Sequence, residues 1–316
     1  MSSCLQPFGP IYPFPIVHYS MEFAEALRDA YLRLAPEAIA VELPRSLAEV
    51  VKKGIRRLPE LSVVLYENAK GEPIYLPVEP TDPMTEAVRL GLESDVPIHF
   101  VDLDLASYPV YRDHVPDPYA AHRLGIHAYL ELYFHQSAFA SDDLDVRREA
   151  GMAYRLQQLA EKHDRIFFVC GLAHLQGVRE AFFRPQAQPL ESAKQTGLSL
   201  FNVHPDDLPE VMSESPFLTA VYEYRRGELP SEPELSKYTV KRKLGLLTLM
   251  DGGKASCSQE EALDASVRWA VHQISSGPLD RQMAILRLFD QAARHYKQDT
   301  GEAVQRWQKR AFFRFS

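Results

Sequence analysis

The stretch "RIFFVCGLAHLQGVREAF", Arg165 to Phe182, joins two kinds of pattern. Five apolar residues, Ile166 to Cys170, run unbroken into Gly171, the pattern of a strand buried on both faces. From about Leu175 onward the pattern is helical. A doubly buried strand that turns at once into a helix is half of a βαβ unit, so the stretch predicts a parallel sheet covered by helices. His174 stands at the joint, framed by Gly171 and Gly177. Capping a turn is its plain role; pointing into a reaction site is the sharper one.

The same alternation extends outward on both sides. "FPIVH" (Phe14–His18) reads as a strand, followed by a helix with Ser20 as N-cap and Phe23, Ala24, Leu27, Tyr31 and Leu34 at helical spacing. "AIAVELP" (Ala38–Pro44) is a second buried strand, and Ser46 with Glu49 has capping-box spacing ahead of the next helix. "LSVVLYENAKGEPIYLPVEP" reads as a strand, a turn at Gly71 and a second extended piece. Asp82 and Pro83 then give a strong helix start. "VPIHFVDLD" (Val96–Asp104) is another buried strand, and "LSLFNVHP" (Leu198–Pro205) one more. The expected fold is α/β, a mostly parallel sheet flanked by helices over residues 1–226. An all-helical C-terminal region follows over 227–316: "RGELPSEPELSK" reads as a linker, Ser258 and Glu261 as a capping box, and "EAVQRWQKRAFFRF" as an apolar last helix that needs a partner surface. Either it docks on the domain, or it forms an interface with a protein partner or a second copy of the chain, or the chain is a piece of something longer.

Bulk properties exclude several classes of function. The 316 residues carry a formal charge of −8 and no basic block, which argues against nucleic-acid binding. Cys4, Cys170 and Cys257 form no CxxC pair, so neither a zinc ribbon nor a disulfide framework is indicated. The apolar runs are strand-sized and the N-terminus has no signal-peptide pattern, so no membrane span is expected and the cytoplasm is the default location.

Ligands of open parallel sheets bind beyond the carboxyl ends of the strands. The strands here deliver His18, Glu42, Asp102 with Asp104, His174, and His204 with Asp206 to those ends. Glu42 needs a partner, for which Arg45 is the nearest cation in sequence. Asp102 and Asp104 share one face, and one of them is expected to act as a cap. His174 near a helix N-terminus should be neutral, as a metal ligand or general base must be. Gly177 would let the following helix pack closely on the sheet. Glu86, on a first helical turn directly after a strand end, and Arg148 with Glu149 are further candidates.

Three segments carry a resemblance. "PEAIAVELPRS", "REAGMAYRLQQLAEKHDRIFFVCGLAHLQGV" and "FPIVHYS" are similar to motifs of the TraB/PrgY/Tiki family, within the wider erythromycin esterase and ChaN-like group. The resemblance covers roughly residues 10–225 and extends to a branch of bacterial proteins found near MoxR-type ATPases and von Willebrand A proteins. It implies an α/β fold and a site built from His18, Glu42, His174 and an acidic residue, Glu86 or Asp102; two histidines with a carboxylate, His18, His174 and Glu42, are a ligand set suited to a divalent metal such as Zn, Mn or Co. Glu86, Asp102 and His174 would be the catalytic groups. Tiki-like members imply metal-dependent peptide cleavage, and erythromycin esterases imply a strand-end histidine acting as base on a lactone. Pro15 stands where the family's GxxH motif has glycine. The expected function is therefore metal-assisted hydrolysis of a peptide or small ester, with a ligand-binding or sensing module that pairs with a partner protein as the alternative. A base mechanism without metal could use the same residues.

Overall fold

The computed structural model describes residues 5–68, 70–105, 115–136, 142–189, 195–227, 238–243, 246–251 and 280–315. The chain divides into two compact units, Met1–Ser231 and Glu232–Ser316.

The first unit is built on a four-stranded parallel sheet in the order β1 (Ile11–Ile16), β6 (Ile166–Gly171), β2 (Ala38–Pro44), β5 (Ile98–Asp102). β6 lies between β1 and β2, its residues Ile166 to Gly171 opposite Ile11 to Ile16 on one side and Ile166 to Val169 opposite Ala38 to Val41 on the other. This central position explains its unbroken apolar run: Ile166, Phe168, Val169 and Cys170 are all fully buried. Burying each such large side chain contributes about 1.5–3 kcal/mol. Pro15 is accommodated in β1, an edge strand that pairs on one side only.

Helices flank the sheet. α1 (Met21–Leu34) packs with α3 (Pro83–Glu93), and α6 (Asp143–Ala160) packs with α7 (Leu175–Phe182). Gly91 of α3 sits directly on Ile39 and Ile98, while Gly151 of α6 sits on Leu103. Asp82 caps α3 through Thr85 N, with Pro83 inside the first turn, as the sequence predicts.

Several expectations are corrected. β7 (Thr196–Asn202) does not join the parallel sheet; it pairs antiparallel with β3 (Ser62–Glu67), which also pairs with β4 (Pro73–Val78) to form a separate sheet, β4-β3-β7. The alternating burial of β3 marks it as half-exposed rather than doubly buried. The capping box at Ser46 does not form: α2 (Ala48–Ile55) begins two residues later, and the Ser46 hydroxyl bonds Asp104 instead. Ser20 is the N-cap of α1 by position, but its hydroxyl donates to Glu22 Oε2 at 3.0 Å.

In the second unit, helices Arg281–Thr300 and Arg306–Phe315 follow a two-stranded hairpin, Tyr238–Lys243 with Leu246–Asp251, that a purely helical reading omits. Phe289 and Phe312 bring these helices together with ring centroids 5.1 Å apart. The linker read at "RGELPSEPELSK" lies largely outside the described residues, and the capping box at Ser258 and Glu261 lies wholly outside them. Among the described residues, no helix is long and apolar enough to cross a membrane.

Candidate active site

The four parallel strands end on the same side, and each delivers one ionisable group: His18 two residues past β1, Glu42 two residues before the end of β2, Asp102 at the end of β5, and His174 three residues past β6. Arg148, from the second turn of α6, enters among three of them. Its Nε and Nη2 donate to Asp102 Oδ1 and Oδ2 at 3.2 and 2.8 Å, and Nη2 also reaches Glu42 Oε1 at 2.6 Å. Nη1 lies 2.9 Å from His174 Nε2. Glu149, the next residue, takes the other ring nitrogen, Nδ1, at 3.3 Å. The backbone N–H of Gly171 donates to Glu42 Oε2 at 2.7 Å. Arg148, not Arg45, is therefore the partner of Glu42.

This inner network is nearly dry. Side chains of Glu42, Asp102, Arg148, Glu149 and His174 are all at most 7 % exposed. Burial pushes Glu42 up, but His174, Arg148 and the Gly171 N–H outweigh it and hold the carboxyl below its ordinary value. For Asp102 burial wins over Arg148, and its pKa is raised. His174 was expected to be neutral beside the N-terminus of α7. It stands at the N-cap position without a capping side-chain bond, and Glu42 and Glu149 outweigh burial and raise its pKa. Two groups compete for Nε2. Arg148 Nη1 requires the bare nitrogen, whereas a protonated Nε2 would donate to Glu42 Oε1, 3.5 Å away.

His18 is placed differently. Its side chain is 48 % exposed, and Nδ1 lies 3.3 Å from Asp82 Oδ1. Asp82 is held from three directions: Tyr19 N donates to Oδ1 at 3.1 Å, and Thr85 N and Oγ1 donate to Oδ2 at 3.1 and 3.3 Å. Tyr19 carries a left-handed φ of 53°, uncommon for a bulky residue, and this conformation delivers its N–H to Asp82. Burial lowers the His18 pKa, but Asp82, with Glu42 in support, raises it overall. Asp82 is correspondingly lowered, its bonds to His18 and to the Tyr19 and Thr85 amides outweighing burial.

His18, Glu42, Asp82, Asp102 and Arg148 all line one cleft of about 600 Å³. Its walls come from Leu47 and Val51, from Met84 and Thr85 of α3, and from Tyr66, Tyr75, Leu76 and Val78 of the antiparallel sheet. His174 sits behind Arg148, outside the lining of the cleft.

Other candidates lie elsewhere. Glu86 is fully buried, its Oε2 2.9 Å from Arg226 Nε, and burial pushes its pKa up to about 7 against the pull of Arg226. One step along α3 from Thr85, it is turned toward helix α9 (Pro216–Arg226) rather than the cleft. Asp104 accepts from Ser46 N at 3.3 Å and from the Ser46 hydroxyl, tying the end of β5 to the segment that follows β2. His204 and Asp206 are exposed beyond β7, outside the parallel sheet. Gly177 packs on Glu149 rather than on the sheet: a Cβ there would collide with the carboxylate that orients His174. The cleft residue that sequence reading missed is Asp82. Its Asp-Pro capping signal was plain, but only one of its oxygens caps; the other holds His18.

The residues present do not suit a resident Zn, Mn or Co ion. The Glu42 and His174 lone pairs that would bind a cation are directed at the Arg148 guanidinium, which stands among Glu42, Asp102 and His174. Among the described residues, no group of three or more His, Cys, Asp or Glu side chains is arranged to hold a metal ion. Comparison with family models, with curated proteins and with solved structures finds no match.

Proposed function

We propose that this cleft hydrolyses an acyl bond, of the ester or peptide type, with water activated by His18. The observation that carries the reading is the His18–Asp82 pair on the cleft floor, with Arg148 fixed in the same wall. With Nδ1–H donated to Asp82, Nε2 is the basic nitrogen. It takes a proton from water as the oxygen attacks the carbonyl carbon, and Asp82 stabilises the imidazolium that forms. As the tetrahedral intermediate collapses, the imidazolium returns the proton to the departing oxygen or nitrogen. Arg148, locked by Asp102 and Glu42, is a positive charge that need not reorganise when the oxyanion develops. Glu149 and His174 act as positioning residues for Arg148.

A second reading, a binding or sensing module without turnover, draws support from the way the Arg148 network closes on buried partners, as a scaffold would. Hydrolysis of a panel of p-nitrophenyl esters and fluorogenic peptides, with and without EDTA, separates the possibilities. The expected result is turnover that EDTA leaves intact and His18→Ala removes. Activity lost to EDTA and restored by Zn, Mn or Co would favour metal assistance instead. No turnover across the panel would leave the binding module.

A further inference from the structure

The cleft has a chemical bias that the hydrolase reading leaves open, and the inference below rests on that reading only for the site's location. Three tyrosines line the cleft: Tyr19 beside His18, with ring centroids 6.0 Å apart, and Tyr66 and Tyr75 on β3 and β4. Tyr66 pairs with Ile74 and Tyr75 with Leu65, so the two rings stand on opposite faces of the antiparallel sheet; Tyr66 lines the cleft from the buried face and Tyr75 from the open edge. Tyr66 is 5 % exposed and fixed in the wall, whereas Tyr75 is 65 % exposed at the mouth. The floor beneath them holds three carboxylates, Glu42, Asp82 and Asp102, against one guanidinium, Arg148. Arg148 donates to Glu42 and Asp102, so its positive charge acts at close range, on an oxyanion next to it, and does not reverse the sign of the floor as a whole. When His18 is uncharged, as a base must be, the floor is net negative.

Aromatic faces above a negative floor attract organic cations, because the ring quadrupole and the carboxylates act in the same direction. The same field disfavours anionic ligands and would expel the carboxylate product of acyl hydrolysis. The adjoining edge argues against an extended peptide. β4 is an outer strand, and its alternate residues Pro73, Tyr75 and Pro77 point their backbone groups the same way. A proline has no N–H to lend, and a sheet tolerates it where that group would face outward. Two of the three outward donors are therefore missing, and the edge is poorly suited to adding a substrate strand.

We propose that the cleft recognises a compact organic cation, an ammonium-bearing ester or amide, whose cationic head lies at the entrance against Tyr19 and Tyr75. The carbonyl then faces His18 and Arg148, and the apolar body rests on Leu76, Val78 and Met84. Tyr75 is the specificity-determining residue at the entrance.

Three isosteric probes of different charge test this: choline, 3,3-dimethylbutan-1-ol and 3,3-dimethylbutanoate, titrated into the full chain by NMR at low and physiological salt. The expected order is cation, then neutral, then anion, with the cation roughly 2- to 30-fold tighter than its neutral isostere. Tyr75→Leu keeps an apolar wall, and the residue's exposure makes the variant safe for folding. It should shrink the cation's advantage while leaving the neutral probe unchanged. Binding of the anion as tightly as the cation, equal loss of both probes in Tyr75→Leu, or no binding of any probe would overturn the proposal. The readout needs no turnover. Charge selectivity without ester hydrolysis sustains this inference and removes the hydrolase; hydrolysis without charge selectivity does the reverse.

Discussion

Two histidines arrive at the same end of the same sheet and meet opposite surroundings. His174 has both ring nitrogens engaged, is 5 % exposed by side chain, and stands behind Arg148. His18 has one nitrogen held by Asp82 and nearly half of its side chain open to the cleft. The number of partners separates their roles: a ring bonded on both sides fixes its neighbours, whereas a ring bonded on one side keeps a lone pair for chemistry. Substitution of each should therefore fail differently.

The largest effect is expected at His18. His18→Ala should lower kcat/KM by about 10²–10⁴-fold, the usual worth of a positioned base, with little change in thermal stability. His174→Ala should reverse the balance. It removes one buried partner each from Arg148 and Glu149 and should cost on the order of 3 kcal/mol in urea denaturation. Equal losses of stability in the two variants would erase the distinction between them.

The pH dependence sharpens the same contrast. His18 must be uncharged to act, and its pKa is raised above 6.5, so kcat/KM should rise with pH through an inflection above that value. Asp82→Asn removes the charge responsible and should move the inflection down. The stability linkage has the opposite sense: the protonated His18–Asp82 pair stabilises the fold fully below the unfolded histidine pKa of about 6.5, and this contribution fades as pH rises through the folded value. An inflection unmoved in Asp82→Asn would detach Asp82 from His18.

The sequence announces the floor of the cleft better than its walls, for a physical reason. Strands buried on both faces must be apolar along their length, so a His, Glu or Asp at the end of one stands out, and four strand ends could be read one by one. What linked them could not. Arg148 and Asp102 are 46 residues apart, and His18 and Asp82 are 64 apart. No local pattern records such pairings. Asp82 was legible as a cap because capping is local, and its bond to His18 was invisible because that bond is not. Glu86 misled for the converse reason: its distance along the chain from the strand end was right, and its direction around the helix was wrong. The walls were misread at β7, where the apolar segment "LSLFNV" reads equally well as a parallel or an antiparallel strand.

The smallest effects distinguish the two glycines that frame His174, where the sequence treats both alike. Gly177 lies against the Glu149 carboxylate with no room for a methyl group. Gly177→Ala must displace Glu149 from His174 Nδ1, and overpacking of this kind costs about 1–3 kcal/mol. At Gly171 an added Cβ would meet Glu42 Oε2 at 3.6 Å, ordinary contact, and the backbone N–H that holds Glu42 would remain. Gly171→Ala should therefore change stability by no more than about 0.5–1 kcal/mol and leave activity near wild type, since alanine is otherwise at least as favourable in a strand. Urea midpoints of the two variants, measured together, decide the point. A larger loss at Gly171 would mean that close packing at the strand exit, rather than the orientation of His174 by Glu149, is what this pair of glycines protects.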